Sequence, residues 1–213
     1  MSVSNKISNS SVRRISIYLR ILERMEKNGD ETVSSEELSD YSGTTAAQVR
    51  KDLSSFGSFG KRGLGYGVSE LALCIRKIIG VDRSWRVALV GVGRIGSALV
   101  DWGGFLDRGY DIVAILDVDP SKVGQKCSGL TVCDMDDFED VVREQGVEII
   151  ILAVPVEAVS DVVDRIADVG ICGILNFAPT TLRVPEGITV KDVNMVMELE
   201  ALSFTLNQQK FKE

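Results

Sequence analysis

The fold is decided by the stretch Arg86-Val87-Ala88-Leu89-Val90-Gly91-Val92-Gly93-Arg94-Ile95-Gly96. It opens with a continuously apolar run, which is typical of a strand buried on both faces of a parallel sheet. It closes with G-x-G-x-x-G, in which Gly91 permits a tight turn, Gly93 lets the backbone approach a pyrophosphate, and Gly96 lets a helix pack close to the strand. We therefore expect a helix to begin at Arg94, with its positive N-terminal end facing the phosphates of a dinucleotide.

A carboxylate follows at the distance that a dinucleotide site requires. A second apolar strand, Ile112 to Leu116, ends in Asp117, which lies 21 residues beyond Gly96. An acidic residue near this position binds the ribose hydroxyls of NAD. The next residues are Val118-Asp119-Pro120, so the sequence offers no cation there for the 2′-phosphate of NADP. We predict NAD(H); the alternative is a Rossmann-like domain that binds no dinucleotide.

Composition limits the class of protein. The chain has 213 residues, of which 45% are hydrophobic, enough for one or two domains. No run reaches the ~20 apolar residues of a membrane span, and the polar start Met1 to Ser10 lacks the apolar segment of a secretory signal. The chain has no histidine, and its four cysteines are scattered. We therefore expect a cytoplasmic protein with reduced thiols, no membrane contact and no metal site.

Charge is distributed unevenly along the chain. Residues 1–80 contain 12 Lys and Arg against 9 Asp and Glu, whereas residues 81–213 contain 12 against 22. This asymmetry suggests a polyanion-binding module joined to an acidic domain. We expect a winged-helix domain over residues 1–80, a nucleotide-binding domain over residues 81–193, and a terminal dimerisation helix over residues 194–213.

The basic module has the start and stop signals of a helix-turn-helix. A first helix, capped by Ser10 or Ser11, is expected to end at Asn28-Gly29. Ser34 and Glu37 form a capping box that opens a short helix, which stops at Gly43. Thr45-Ala46-Ala47-Gln48 is predicted to be a second capping box. Two short helices joined by a tight turn are typical of a helix-turn-helix.

The second of these helices carries side chains suited to DNA. Val49 and Leu53 give it a core face, and the remaining side chains suit base edges and phosphates: Thr45, Gln48, Arg50, Lys51 and Ser54. The segment Phe56 to Gly67 holds five glycines and is predicted to form a β-hairpin wing. Its centre, Lys61-Arg62-Gly63, could enter a narrow minor groove. The alternative is a winged helix that binds another protein.

Helices and strands alternate through the rest of the chain. Strands are expected at Glu148–Val154, Cys172–Asn176 and Ile188–Val193, and helices at Asp136–Gln145 and Pro155–Val169. This alternation predicts an α/β Rossmann domain, a doubly wound parallel sheet, preceded by the α+β winged-helix domain. Since ligands lie beyond the carboxyl ends of such strands, we expect a set of cofactor contacts: Gly91, Val92, Gly93, Arg94, Ile95, Gly96, Asp117, Ala153, Val154, Pro155, Asn176, Phe177 and Ala178.

Two of these strand ends also bear on which redox state binds. Neither Ala153-Val154-Pro155 nor Asn176-Phe177-Ala178-Pro179 contains a titratable residue. Because burying an uncompensated charge is costly, such a pocket favours the neutral dihydronicotinamide over the cationic oxidised ring. The sequence therefore favours NADH over NAD+, which is what a redox sensor needs.

Catalysis is the competing hypothesis. A hydride-transfer enzyme needs a general acid or base and a substrate site beside the nicotinamide. The chain has no histidine and no Tyr-x-x-x-Lys pair, and no residues remain for a substrate domain. We therefore expect no enzyme; the alternative is an NAD-dependent oxidoreductase with an accessory winged-helix domain.

The chain ends in a predicted amphipathic helix from Asn194 to Phe211. Its apolar face consists of Val196, Leu199, Leu202 and Leu206. The helix follows the last expected strand, where little sheet remains to be covered. We therefore expect it to pack on a second subunit, as in the dimer that a two-fold operator requires.

Several stretches together resemble the Rex family of redox-sensing transcriptional repressors over nearly the full length. They are Gln48 to Leu53, Phe56 to Tyr66, Gly91 to Leu99, Asp117 to Asp119, and Leu175 to Pro179. The resemblance implies a homodimer with an exchanged C-terminal helix, bound to an inverted-repeat operator in double-stranded DNA. It also implies that NADH closes the dimer and releases the DNA.

The resemblance also implies roles for individual residues. Arg50 and Lys51 would contact DNA from the recognition helix, and Lys61, Arg62 and Gly63 from the wing. Arg20 and Trp102 match positions of interdomain switch contacts. Asn194 falls where family members have aspartate, so a switch contact between Arg20 and this position would be a hydrogen bond rather than an ion pair.

Overall fold

The computed structural model describes residues 7–60, 65–166 and 169–210. The chain divides into two compact units, and the boundary in the sequence lies between Arg83 and Ser84. Within the described residues, none of the helices has both the length and the apolar composition needed to cross a bilayer.

The first unit is a small helical domain with one short ladder of strands. Its elements, in chain order, are α1 (Asn9–Asn28), β1 (Thr32–Val33), α2 (Ser35–Ser42), α3 (Ala46–Ser54), β2 (Tyr66–Gly67) and α4 (Val68–Ile79). One core joins these helices, and its fully buried members include Ile15, Tyr18, Leu22, Leu38, Val49, Leu71 and Ile75.

Capping residues set the helix limits. Helix α1 begins after Ser8, whose hydroxyl accepts the Ser11 amide, so the prediction of Ser10 or Ser11 as cap was wrong. The capping box of Ser34 and Glu37 is confirmed. At α3 only half of the expected box forms, with the Thr45 hydroxyl accepting the Gln48 amide. The Gln48 side chain instead bonds within the helix, to Asp52.

The predicted hairpin wing is corrected in one respect. Residues Phe56 to Gly60 contain no strand, and β2 pairs antiparallel with β1, which lies between α1 and α2. Strand β2 therefore pairs with a strand that precedes the helix-turn-helix, and not with another described part of the segment Phe56 to Gly67. The tip residues Lys61, Arg62 and Gly63 lie outside the described residues.

The second unit is a doubly wound α/β domain. Its strands are β3 (Trp85–Val90), β4 (Tyr110–Asp117), β5 (Lys126–Cys127), β6 (Leu130–Asp134), β7 (Ile149–Leu152), β8 (Gly173–Asn176) and β9 (Thr189–Asp192). Its helices are α5 (Arg94–Asp101), α6 (Phe138–Gln145), α7 (Val159–Ile166) and α8 (Met195–Lys210). Short 3₁₀ turns cover Gly103–Arg108, Met135–Asp137 and Val156–Ala158.

The strand order is β5-β6-β4-β3-β7-β8-β9, and all neighbours are parallel except β5 and β6. The chain runs outward from β3 to one edge and then returns to β7 on the other side of β3. The crevice between the carboxyl ends of β3 and β7 is therefore the topological switch point, where this fold binds ligands. The strands β5 and β6 were not predicted.

Apolar side chains cover both faces of the central sheet. Along β3, Val87 and Leu89 belong to the core on one face, and Ala88 and Val90 to the core on the other. This two-sided burial explains why β3 is a continuous apolar run instead of an alternating one.

Helix α8 differs from the expectation of a single apolar face. Met195, Leu199, Leu202 and Leu206 share one face, whereas Met197, Ala201 and Phe204 lie on the roughly opposite face, since the two sets are offset by two residues. The large apolar side chains of both faces are more than half exposed. The helix thus presents two apolar faces that its own chain leaves uncovered.

Candidate nucleotide and DNA sites

The glycine loop lies at the switch point. Its shape depends on two places where backbone segments approach closely, at Gly91 and at Gly96. Gly91 has φ +97°, and a Cβ there would lie 2.6 Å from the Ala153 carbonyl oxygen. A Cβ at Gly96 would overlap the Gly91 carbonyl oxygen. Gly91 thus lets the ends of β3 and β7 approach, and Gly96 lets α5 pack against the loop.

Gly93 differs from these two glycines because the protein itself does not require it. A Cβ at Gly93 would meet nothing within 4 Å, and its φ of −82° suits any residue. Gly93 is exposed and precedes α5, whose first-turn amides have no acceptor within the helix. No described side chain caps this end. A bare backbone beside free amides is what a pyrophosphate requires.

Asp117 is buried at the end of β4 and holds the loop in place. Its carboxylate accepts the Val92 amide at 2.7 Å and the Asp119 amide at 2.9 Å. It also accepts a hydrogen bond from Lys122 Nζ at 3.1 Å, and this bond raises the pKa of Lys122. The sequence did not reveal this lysine, which the loop after β4 brings back to Asp117; Asp117 and Asp119 both pair with it, so the prediction that no cation stands ready for a 2′-phosphate is not contradicted.

The other predicted contacts lie in the glycine loop, in the first turn of α5 or at the ends of neighbouring strands. Arg94, Ile95 and Pro155 are exposed, and Val92, Ala153, Val154 and Phe177 are half-buried. Phe177 and Ala153 belong to the same core cluster, whereas Ala178 belongs to the cluster on the other face of the sheet. The strand ends thus form a largely apolar rim around the crevice.

Asn176 has a different role from the one expected. The residue is 0% exposed, and its amide nitrogen donates to the Thr180 carbonyl (2.8 Å) and to Asp192 Oδ1 (2.7 Å). Its side-chain oxygen accepts the Ala178 amide. With no exposed surface, Asn176 cannot contact a ligand in this conformation; it holds the loop that carries Phe177. Asp192 is a titratable group that the apolar description of these strand ends did not include.

In the first unit, α3 separates its core face from its exposed face. Val49 and Leu53 are buried, as predicted. The residues Thr45, Arg50, Lys51 and Ser54 are exposed, and the Ser54 hydroxyl donates to the Lys51 carbonyl. The Gln48 side-chain nitrogen donates to Asp52, which leaves its second N–H and its oxygen for a base, so the predicted base contact stays a prediction.

A buried carboxylate, which the sequence did not reveal, fixes α3 on α1. Asp52 is 2% exposed and accepts two hydrogen bonds from Arg14, at 2.6 and 2.7 Å. It also accepts the Tyr18 hydroxyl at 3.0 Å and the Gln48 amide at 2.8 Å. Because Asp52 lies in the same helix as Arg50 and Lys51, this network sets the orientation of the exposed cations.

The network predicts loss of stability in acid. Burial alone would raise the pKa of Asp52, but the bonds from Arg14, Gln48 and Tyr18 hold it below its usual value. A carboxyl with a lowered folded-state pKa stabilises fully above its unfolded pKa of about 3.9 and loses that contribution as pH falls through the folded-state pKa. The protection factors of the backbone amides in α1 and α3, which correct for the intrinsic pH dependence of exchange, should therefore fall below about pH 4. The Asp52→Asn variant should lack this pH-dependent step; an identical step in the variant would assign it to other carboxyls.

The three predicted switch residues lie in different units, Arg20 in the first and Trp102 and Asn194 in the second. Arg20 is exposed on α1. Trp102 is 58% exposed and meets Phe105 edge to face, with ring centroids 4.8 Å apart. Asn194 Oδ1 accepts the amides of Val196 and Met197, so the side chain caps α8. Within the described residues, no group of three or more Cys, Asp or Glu side chains could hold a metal ion.

Comparison with known proteins finds a matching family for each of the two units. Residues 6–54 match the family described as putative DNA-binding protein N-terminus, and residues 82–180 match the CoA binding domain family. The redox-sensing transcriptional repressor Rex of Carboxydothermus hydrogenoformans is 44% identical over 203 residues, which are 95% of this chain and 98% of that protein. The Rex of Streptomyces coelicolor is 41% identical over 94% of this chain and 78% of its own length.

Solved structures match nearly all of the chain. The crystal structure of RSP in complex with β-NAD+ and operator DNA has a TM-score of 0.90 and 34% identity, and covers 98% of this chain and 96% of RSP. RSP in complex with β-NADH has a TM-score of 0.85 and 32% identity, with coverage of 98% of each chain.

A helix-turn-helix unit joined to a Rossmann unit with a pyrophosphate-type glycine loop defines a nucleotide-responsive transcription regulator. Both of these relatives are named as redox-sensing transcriptional repressors. The chain belongs to the Rex family of redox-sensing transcriptional repressors.

Proposed function

We propose that this chain is a repressor that binds an inverted-repeat operator and releases it when NADH binds, so that transcription follows the NADH/NAD+ ratio. The observation that carries the proposal is Gly93, a glycine that the fold itself does not need, which directly precedes the uncapped amides of α5 and follows Val92, whose amide donates to Asp117. Names and complexes of the relatives support the same activity. We infer a cytoplasmic location, since a repressor must share a compartment with the DNA that it binds.

The nucleotide is held by the residues around the switch point. The glycine loop and the first turn of α5 bind the pyrophosphate. Asp117 and Lys122 lie where the adenosine ribose is recognised. The apolar rim, which includes Ala153 and Phe177, receives the nicotinamide and favours its neutral reduced form. Calorimetric titration of the full chain should show tighter binding of NADH than of NAD+. Equal affinities for NADH and NAD+ would contradict the proposed redox selectivity.

The response requires a difference in affinity between two conformations of a dimer. If NADH prefers the DNA-free conformation by ~100-fold at each site, each site contributes about 2.7 kcal/mol. Two sites then supply about 5.5 kcal/mol, which is enough to move the population from mostly bound to mostly free.

Helix α8 supplies the dimer contact. It has apolar side chains on two opposite faces, and both are exposed in the single chain. A helix of this kind is buried only when it lies between two surfaces. We infer that it is exchanged between subunits, which gives the two-fold symmetry that an inverted repeat requires.

DNA contacts come from the exposed face of α3, from Thr45, Arg50, Lys51 and Ser54, and from the wing residues Lys61, Arg62 and Gly63. The Lys51→Ala variant should bind every DNA sequence more weakly and lower the salt slope by about one, since one phosphate contact is lost. Lys27→Ala, at the far end of α1, removes the same charge and serves as the matched control. A Lys51→Ala variant with unchanged DNA affinity would contradict the assignment of α3 as a DNA-binding helix.

A further inference from the structure

One DNA-facing cation of α3 is already paired with a carboxylate. Arg50 Nη1 donates to Glu36 Oε1 at 3.1 Å, so the pair joins α3 to the first turn of α2. Both side chains are exposed, at 54% for Arg50 and 68% for Glu36. Neither the cap of α2 nor the core of the unit uses this contact, since the capping box consists of Ser34 and Glu37.

The ion pair with Glu36 leaves some N–H donors of the Arg50 guanidinium available for DNA. An arginine has five N–H donors, and the Nε–Nη2 edge remains free when Nη1 is bound to Glu36. That edge can form a bidentate contact with the O6 and N7 atoms of guanine. Arg50 can therefore read a base edge while it keeps its bond to Glu36.

Binding to non-operator DNA depends on phosphate contacts and not on base contacts. Non-specific affinity comes almost entirely from cations that neutralise phosphates and release counterions. Glu36 neutralises one of the two cations of α3 and places a negative charge beside the phosphates. It therefore weakens non-operator binding, in which Arg50 would have to leave the pair to act as a phosphate contact.

The geometry points to Glu36 as a specificity-determining residue, which lowers affinity for non-operator DNA more than for the operator by holding Arg50 in an ion pair. The inference rests on the DNA-binding activity proposed above. Because exposed pairs contribute little, we expect an effect of about three- to fivefold on the ratio of operator to non-operator affinity.

The test uses the full chain with Glu36→Gln and, as matched control, Asp40→Asn. Asp40 is exposed on the same helix, and its change removes the same charge. Affinities are measured for an inverted-repeat operator and for a scrambled duplex between 50 and 200 mM salt, a range of about fourfold over which phosphate contacts dominate the slope. Glu36→Gln should tighten scrambled-duplex binding about three- to fivefold and steepen its salt slope by about one, while operator affinity changes less than twofold.

A double-mutant cycle with Arg50→Ala separates the pair from a general charge effect. In the Arg50→Ala background, Glu36→Gln should change scrambled-duplex binding no more than Asp40→Asn does. If Glu36→Gln and Asp40→Asn act alike in the parent chain, or if the effect persists without Arg50, the inference is overturned. A parent chain that does not prefer the operator would instead overturn the proposed function itself.

Discussion

The Gly96→Ala variant is expected to lose about 3 kcal/mol of folding free energy in its nucleotide-binding unit. A Cβ there would overlap a backbone carbonyl, that of Gly91, so α5 must move away from the loop. Gly93→Ala is the matched comparison, since its Cβ meets only open space. We expect this variant to unfold as the parent does, but to bind NADH about tenfold or more weakly, because the methyl group occupies the space of the pyrophosphate.

Urea unfolding followed by tryptophan fluorescence measures the stability of this unit, because both tryptophans, Trp85 and Trp102, lie in it. NADH affinity is measured on the same samples. A Gly93→Ala variant with unchanged NADH affinity would contradict the assignment of the glycine loop as the nucleotide site. A Gly96→Ala variant of unchanged stability would contradict the packing argument only.

The Asp52→Ala variant is expected to lose operator binding while it still binds NADH. Removing the buried carboxylate leaves Arg14 without its partner and Tyr18 without an acceptor, at a cost of about 3 kcal/mol. In a unit of this size that loss lowers the melting temperature by about 15 °C. Thermal unfolding followed by circular dichroism, together with operator and NADH titrations, measures all three effects.

Tyr18→Phe is the control for this network. It removes one hydrogen bond while Arg14 still neutralises Asp52, so a smaller loss of about 1 kcal/mol is expected. Loss of NADH binding in Asp52→Ala would show that the damage extends beyond the first unit. Normal operator binding in Asp52→Ala would show that the network does not orient α3.

Short-range patterns in the sequence predicted the parts of the fold that depend on local spacing. The G-x-G-x-x-G run follows the end of β3 and Asp117 ends β4, as predicted, because a strand, a turn and a helix fix their separation. The capping box of Ser34 and Glu37 was predictable for the same reason. The strands β5 and β6 were missed; β5 is only two residues long.

Contacts between distant residues, and contacts that depend on the path of a loop, could not be predicted in this way. Asp52 meets Arg14 and Tyr18, which lie 38 and 34 residues away in sequence. Lys122 reaches Asp117 only because the loop between them folds back. Asn176 was assigned to the ligand because it ends a strand, but its three hydrogen bonds to neighbouring segments bury it. In each case the missing information is tertiary geometry, which no spacing rule contains.

The most direct test of the redox-sensing account is a mobility-shift titration of the full chain on an inverted-repeat operator at fixed salt. It is performed with NADH, with NAD+ and without nucleotide. The account predicts that NADH releases the operator at concentrations at which NAD+ has little effect. Equal release by both nucleotides at equal saturation, or tight operator binding that neither nucleotide changes, would contradict it.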